Sequence, residues 1–230
     1  MPDWPRLPPA PRLLVISGPS GSGKSTVIQR ACALEPALVR CLSCTTRAPR
    51  GAERDGVDYW FLTQAEFDAR AAAGGFIEHA VVFGKASYGT PRAFVEERLA
   101  AGQSVIKDVD VQGAAQIRAS FPAAVHIFLV PPDHAEVERR LRGRGTDSDE
   151  VVRRRLAEVE REVARWRDYD YLLVNADVER AAHDLLAVLR AKGMEAELVA
   201  MGRKVAETMV ELFAGLPAGH EFFDRFSFIA

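Results

Sequence analysis

Four short apolar runs punctuate the chain: RLLVIS at 12–17, QSVIKDVDVQG at 103–113, AVHIFLVPP at 124–132 and YLLVN at 171–175. Each has the length and bounded character of a buried strand. A different rhythm lies between them. In TVIQRACAL, residues Val27, Ile28, Ala31 and Leu34 recur at helical spacing, and 91–101, 133–142, 148–167 and 178–191 also read as helices. Strands that are apolar throughout, alternating with helices, predict a parallel sheet covered on both faces. Residues 41–90 break the alternation. They carry DYWFL, FIEHAVVF and several glycines, which predicts a small β-rich insertion. The stretch RLRGRGTDS at 140–148 reads as a basic, glycine-broken loop between two helices. Near the C-terminus, Leu198, Met201, Val205, Met209 and Leu212 predict an amphipathic helix, followed by a tail with Phe222, Phe223, Phe226 and Phe228.

Composition narrows the class. The chain has 230 residues, 48% apolar and 27% charged, which suits one core with small inserted subdomains. A net charge of −2 argues against wholesale binding of nucleic acid or of a membrane surface. No apolar run approaches the roughly 18 residues that span a bilayer. Residues 1–11 are proline-rich, lack the apolar stretch of a signal peptide and read as a disordered arm, so the cytoplasm is the expected compartment. Cys41 and Cys44 have the spacing of zinc ligands, but no second pair completes a site. They read as small, partly buried side chains at the start of an extended segment.

Chemistry enters at ISGPSGSGKST, residues 16–26. Gly18, four residues, then Gly23-Lys24-Ser25 follow an apolar strand and open a helix, the setting of a phosphate-binding loop. The backbone N–H groups of Gly18, Ser20, Gly21, Ser22 and Gly23, in a loop turned by Pro19, would form most of an anion nest, continued by Ser25 and Thr26 at the helix start. Lys24 reaches the β- and γ-phosphates of a nucleoside triphosphate, and the Ser25 hydroxyl can ligate Mg²⁺. A second candidate phosphate site lies in LSCTTRAPRG, 42–51, where Pro49 keeps Arg47 and Arg50 off a regular helix. Taken alone, those arginines also suit an ordinary solvated loop. Asp108 and Asp110 share a face if the strand continues through them, and like charges at a strand end call for a cation.

The ordered set ISGPSGSGKST, SCTTRAPRG, DGVDYWF, FIEHA, YGTP, DVDVQGA, RLRGRGTDS and YDYLLVN resembles guanylate kinase across residues 12–191. The resemblance implies an α/β, three-layer P-loop kinase core, with 41–90 as a GMP-binding insertion and 140–148 as a lid loop. It implies transfer of the γ-phosphoryl group of ATP to GMP with Mg²⁺. By that resemblance Arg47, Arg50 and Tyr59 hold the GMP phosphate, with Tyr88 beside it. Glu78 faces the guanine N1–H and 2-amino group, with Ser43 and Thr90 near the base. Asp108 and Asp110 organise the acceptor and the waters of the metal, Asp108 being a metal-side residue together with Ser25. Arg140, Arg144 and Arg155 contact phosphates, and Asn175 stands beside the adenine. A carboxylate at Glu78 suits guanine, which offers donors at N1 and N2, and repels adenine, which offers an acceptor at N1. The loop GKASYG is one residue longer than the family's usual form, and Ala52 and Ala176 replace its usual glycine and aspartate. Residues 194–230 lie beyond the resemblance. Their phenylalanines must dock, either on the chain's own core, which avoids the cost of association, or in a homo-oligomer contact.

Overall fold

The computed structural model describes residues 10–82, 84–132, 134–142, 150, 156, 159 and 161–190. The arm before residue 10, Arg144 and most of the lid loop, Arg155, and the extension 194–230 lie outside the described residues.

Strand β1 (Leu13–Ser17) is buried at every position and occupies the middle of a five-stranded sheet. Helix α1 (Lys24–Leu34) follows it and leads to β2 (Leu38–Arg40). The sheet is completed by β7 (Ser104–Asp108), β8 (Val125–Val130) and β9 (Tyr171–Val174) in the order β2-β7-β1-β8-β9. All four pairings are parallel. Helices α3 (Arg92–Ala100), α4 (Val111–Ser120), α5 (His134–Arg142) and α6 (Val178–Arg190) supply the covering layers. Val27, Ile28 and Ala31 of α1 pack with Leu185 and Leu189 of α6 against Ile16 and Ile106 on one face. Val95 of α3 and Ala114 and Ile117 of α4 cover Val15 and Val105 on the other. The three-layer α/β core expected from the sequence is therefore present. Because β1 has β7 on one side and β8 on the other, the loop after it emerges at the point where strand order reverses. Open parallel sheets bind ligands there.

Three elements differ from the sequence reading. The edge strand β2, only three residues long, was not anticipated. The run 103–113 is not one strand: β7 stops at Asp108 and Val111 already begins α4. Asp110 is the N-cap, its Oδ1 accepting from the Gly113 N–H at 2.7 Å, so a short carboxylate starts a helix where alternating valines suggested more strand. Residues 41–90 hold a second sheet, with β3 (Cys44–Thr45), β4 (Trp60–Phe61), β5 (Phe76–Val82) and β6 (Ala86–Pro91) in the order β4-β3-β6-β5. They also hold helix α2 (Gln64–Ala72), whose Thr63 and Glu66 cap one another reciprocally. Phe67 of α2 stacks on Phe76 of β5 with ring centres 4.5 Å apart. Cys41 and Cys44 are fully buried rather than partly so, and burial pushes the Cys41 thiol up to about 12.

Candidate active site

The phosphate loop is held from three directions. Gly18 has φ of 150°, and a Cβ there would collide with the carbonyl oxygen of Leu129 in β8, so only glycine fits where the loop crosses the neighbouring strand. From β9, the buried Asn175 donates its side-chain amide to the Ser22 carbonyl at 2.7 Å. From α1, Lys24 Nζ donates to the carbonyl oxygens of Gly18 at 2.5 Å and Pro19 at 3.1 Å. Gly21 and Gly23 take left-handed conformations. The first turn of α1 has no side-chain cap and no acidic residue, which leaves its N–H groups directed toward an anion. Ser25 and Thr26 lie exposed on that turn. Asn175 thus braces the loop from behind, and the half-buried Lys24 is tied to the loop it serves.

A cleft of about 410 Å³ opens beside the loop, lined by Gly18, Ser20 and Lys24 on one side and by Ser43, Tyr59 and Tyr88 on the other. Asp108 and Asp110 also line it. Tyr59 and Tyr88 meet edge to face at 6.1 Å, and the Arg47 guanidinium lies 5.2 Å from the centre of the Tyr59 ring. Arg47 Nε donates to Tyr88 Oη at 3.1 Å. The two oxygens of Glu53 accept from Arg47 Nη1 at 2.8 Å and Nη2 at 3.0 Å. Glu53 also accepts from the backbone N–H of Arg50 at 2.8 Å. The bidentate partner of Arg47 is therefore Glu53, a residue absent from the sequence reading. The hydrogen bonds from Arg47 and from Arg50 N–H hold the Glu53 carboxyl below its ordinary range, and the same pairing raises Arg47. The Arg50 side chain is exposed.

Beyond the cleft wall, Glu78 of β5 is buried and accepts from Thr90 Oγ1 of β6 at 2.6 Å. Burial pushes its carboxyl up, against the pull of the Thr90 hydrogen bond and of the nearby Lys107 charge. A Cβ at Gly113 would lie 3.4 Å from both Glu78 Oε2 and Asp110 Oδ1, so both carboxylates border the start of α4. Asp108 is answered by cations of the chain itself, Arg40 at 3.6 Å and Lys107 at 3.7 Å. Burial works to raise its carboxyl, but Lys107 and Arg40 hold it below the ordinary range. Arg40 and Lys107 thus offset the Asp108 charge within the chain, while Asp110 caps α4. Among the described residues no cluster of three or more His, Cys, Asp or Glu side chains suits a metal ion. Arg140 falls on α5, while Arg144 and Arg155 lie outside the described residues.

Sequence reasoning missed Arg40, Glu53 and Lys107. Glu53 had a local signal, a carboxylate three residues after Arg50. Lys107 had another, a lysine inside an otherwise apolar strand.

The family model described as guanylate kinase matches residues 10–192. A guanylate kinase of Anaeromyxobacter dehalogenans is 53% identical over 180 residues, 77% of this chain and 79% of its own. One from Symbiobacterium thermophilum is 43% identical over 199 residues, covering 86% of this chain and 93% of its own. The crystal structure of guanylate kinase from Anaplasma phagocytophilum superposes with a TM-score of 0.61 at 32% identity, over 83% of this chain and 87% of that one. With a phosphate loop, a facing arginine–tyrosine cluster and a family match across four-fifths of its length, the chain belongs to the guanylate kinase family.

Proposed function

We propose that this chain, by family an ATP:GMP phosphotransferase, joins its two substrates across the cleft between the phosphate loop and the insertion. ATP rests its phosphates on residues 18–26, with Lys24 turned from the loop carbonyls toward the β- and γ-phosphates. GMP lies against the insertion, its phosphate at Arg47, Arg50, Tyr59 and Tyr88. Its base lies at Glu78, Thr90 and Ser43, with Asp108 and Asp110 toward the acceptor. Because a phosphate monoester is mostly ionised at neutral pH, its second pKa being about 6, the acceptor needs no general base. The chain's work is positioning and charge neutralisation by Lys24 and by the family's lid arginines Arg140, Arg144 and Arg155.

A divalent cation such as Mg²⁺ arriving with ATP fits the residues present. The exposed Ser25 hydroxyl at the start of α1 can ligate it, and Asp108 can hold its water. When bound, it would supply positive charge that offsets the charge developing on the transferring phosphoryl group. Asn175, buried against Ser22, serves the ATP side by keeping the loop in shape. The setting that suits such an enzyme is the cytoplasm, and no helix among the described residues is long and apolar enough to cross a membrane.

The observation that carries the reading is Lys24 and the Tyr59–Tyr88 pair lining one cleft, with Arg47 bonded to Tyr88. ADP release measured with GMP, AMP and a sugar phosphate as acceptors tests it. The expected result is GMP-dependent release. ADP release that is equal for the three acceptors, or independent of them, would refute it.

A further inference from the structure

Lys107 has no part in the roles above, yet it occupies a costly position. It lies in β7 among buried apolar residues, with only 3% of its side chain exposed, at the seam between the core sheet and the insertion. A buried lysine persists only where its donors are satisfied. Lys107 Nζ donates to Ser43 Oγ at 2.7 Å and to the Asp108 carbonyl oxygen at 2.8 Å, and Asp108 Oδ1 lies 3.7 Å away.

The contact with Ser43 has a direction. An ammonium group has three donors and no acceptor, whereas a serine hydroxyl can donate one hydrogen bond and accept two. Lys107 can only donate, so the Ser43 hydroxyl must accept from it and turn its own proton elsewhere. No described protein group takes that proton, and Ser43 lines the cleft. We infer that Lys107 is a positioning residue for base selection, locking Ser43 as a hydrogen-bond donor toward position 6 of the purine. Guanine presents a carbonyl acceptor there, and adenine presents an amino donor. The inference rests on the reading above that Ser43 lies beside the base. It adds a second check to that of Glu78: the carboxylate reads N1 and N2, and the lysine-locked hydroxyl reads the 6-oxygen. Without the lysine, the hydroxyl could rotate and accept, and the preference at position 6 would relax.

The test compares GMP with 6-thio-GMP as acceptors. The thione sulfur is a weaker acceptor at position 6, while the N1–H and 2-amino groups facing Glu78 are retained. The ratio of kcat/KM values is measured for the wild type, Lys107→Met, Ser43→Ala and the double variant. Wild type should favour GMP by about two- to tenfold, the worth of one neutral hydrogen bond. Lys107→Met and Ser43→Ala should each bring the ratio close to one. The double variant should show no further change, and KM for ATP should hold within about twofold of wild type, a change too small to count as a lost hydrogen bond. A ratio that collapses in Ser43→Ala but stays at the wild-type value in Lys107→Met overturns the role of Lys107, leaving it a charge-balancing residue. A ratio unchanged in Ser43→Ala overturns the placement of Ser43 at position 6, and the inference with it. Should Lys107→Met fail to fold, Lys107→Leu takes its place, since it too removes the donor to Ser43, and the same outcomes decide.

Discussion

Replacing Arg47 with alanine separates the two halves of the cleft. Arg47 has five N–H groups, and four are spent within the protein: one on Tyr88 Oη, one on the Ala48 carbonyl and two on Glu53. One N–H of Nη2 remains. A bound phosphate can take that single bond, or it can displace Glu53 for a bidentate pair and give back what the Glu53 bonds contributed. Either route leaves a net gain near one charge-assisted hydrogen bond, about 1.5–3 kcal/mol. At tenfold per 1.4 kcal/mol, Arg47→Ala should raise KM for GMP about 10- to 140-fold. Loss of the ion pair itself should cost little stability, because Glu53 remains in contact with water once released. Initial rates from a coupled ADP assay, varying GMP at saturating ATP and then ATP at saturating GMP, give both constants. A KM for ATP that rises by the same factor, or a KM for GMP within twofold of wild type, would refute the assignment of Arg47 to the acceptor phosphate.

Other expectations follow from the same contacts. Lys24→Ala should lower kcat by on the order of 10²–10³-fold or more, the cost of losing one charge-stabilising donor. Its circular dichroism spectrum should be unchanged, since the hydrogen bonds Lys24 gives to Gly18, Pro19 and Ser22 lie in a surface loop and not in the core; turnover near wild type would remove it from the chemistry. Glu78→Gln should erode a GMP-over-AMP preference that can reach roughly 10⁴-fold when a wrong base leaves buried polar groups unpaired. A preference unchanged in that variant, measured as a kcat/KM ratio, would exclude Glu78 from the base site. His126 is buried, and desolvation together with the Arg118 charge pushes its imidazole down to about 4. Its folded pKa lies below the unfolded value of about 6.5, so nothing is lost above pH 6.5. As pH falls from about 6.5 toward 4 the unfolded chain gains a proton that the folded chain refuses, and stability drops by up to about 1.4 kcal/mol per pH unit. Urea denaturation of wild type and His126→Leu across that range should show a difference that grows as pH falls; parallel curves would contradict it.

What the sequence made legible is local. The phosphate loop reads directly because its strand, glycines, lysine and helix occupy one continuous stretch, and physics at that scale needs no distant partner. The parallel sheet was visible for a similar reason, since strands buried on both faces must be apolar throughout. Residues whose roles depend on distant partners were harder to place. Asn175 braces a loop 153 positions away, which no spacing rule encodes. Asp110 looked like a strand residue because alternating valines flank it, but its carboxylate caps α4. Glu53 takes its meaning from Arg47, six positions earlier on an irregular loop, and Lys107 from Ser43, a contact fixed only when the insertion folds against β7. Helix α2 carried a readable signal in Thr63 and Glu66, obscured by the glycines and aromatic residues around it.

The central claim is that one cleft holds ATP and GMP with their phosphates facing. Adenosine and guanosine joined through five phosphates would span both sites as a single ligand. Isothermal titration should find it bound more tightly than ATP or GMP alone, because occupation of one site makes the second contact intramolecular. Either nucleotide in excess should compete with it. Binding no tighter than ATP alone, or competition by only one of the two nucleotides, would contradict the account.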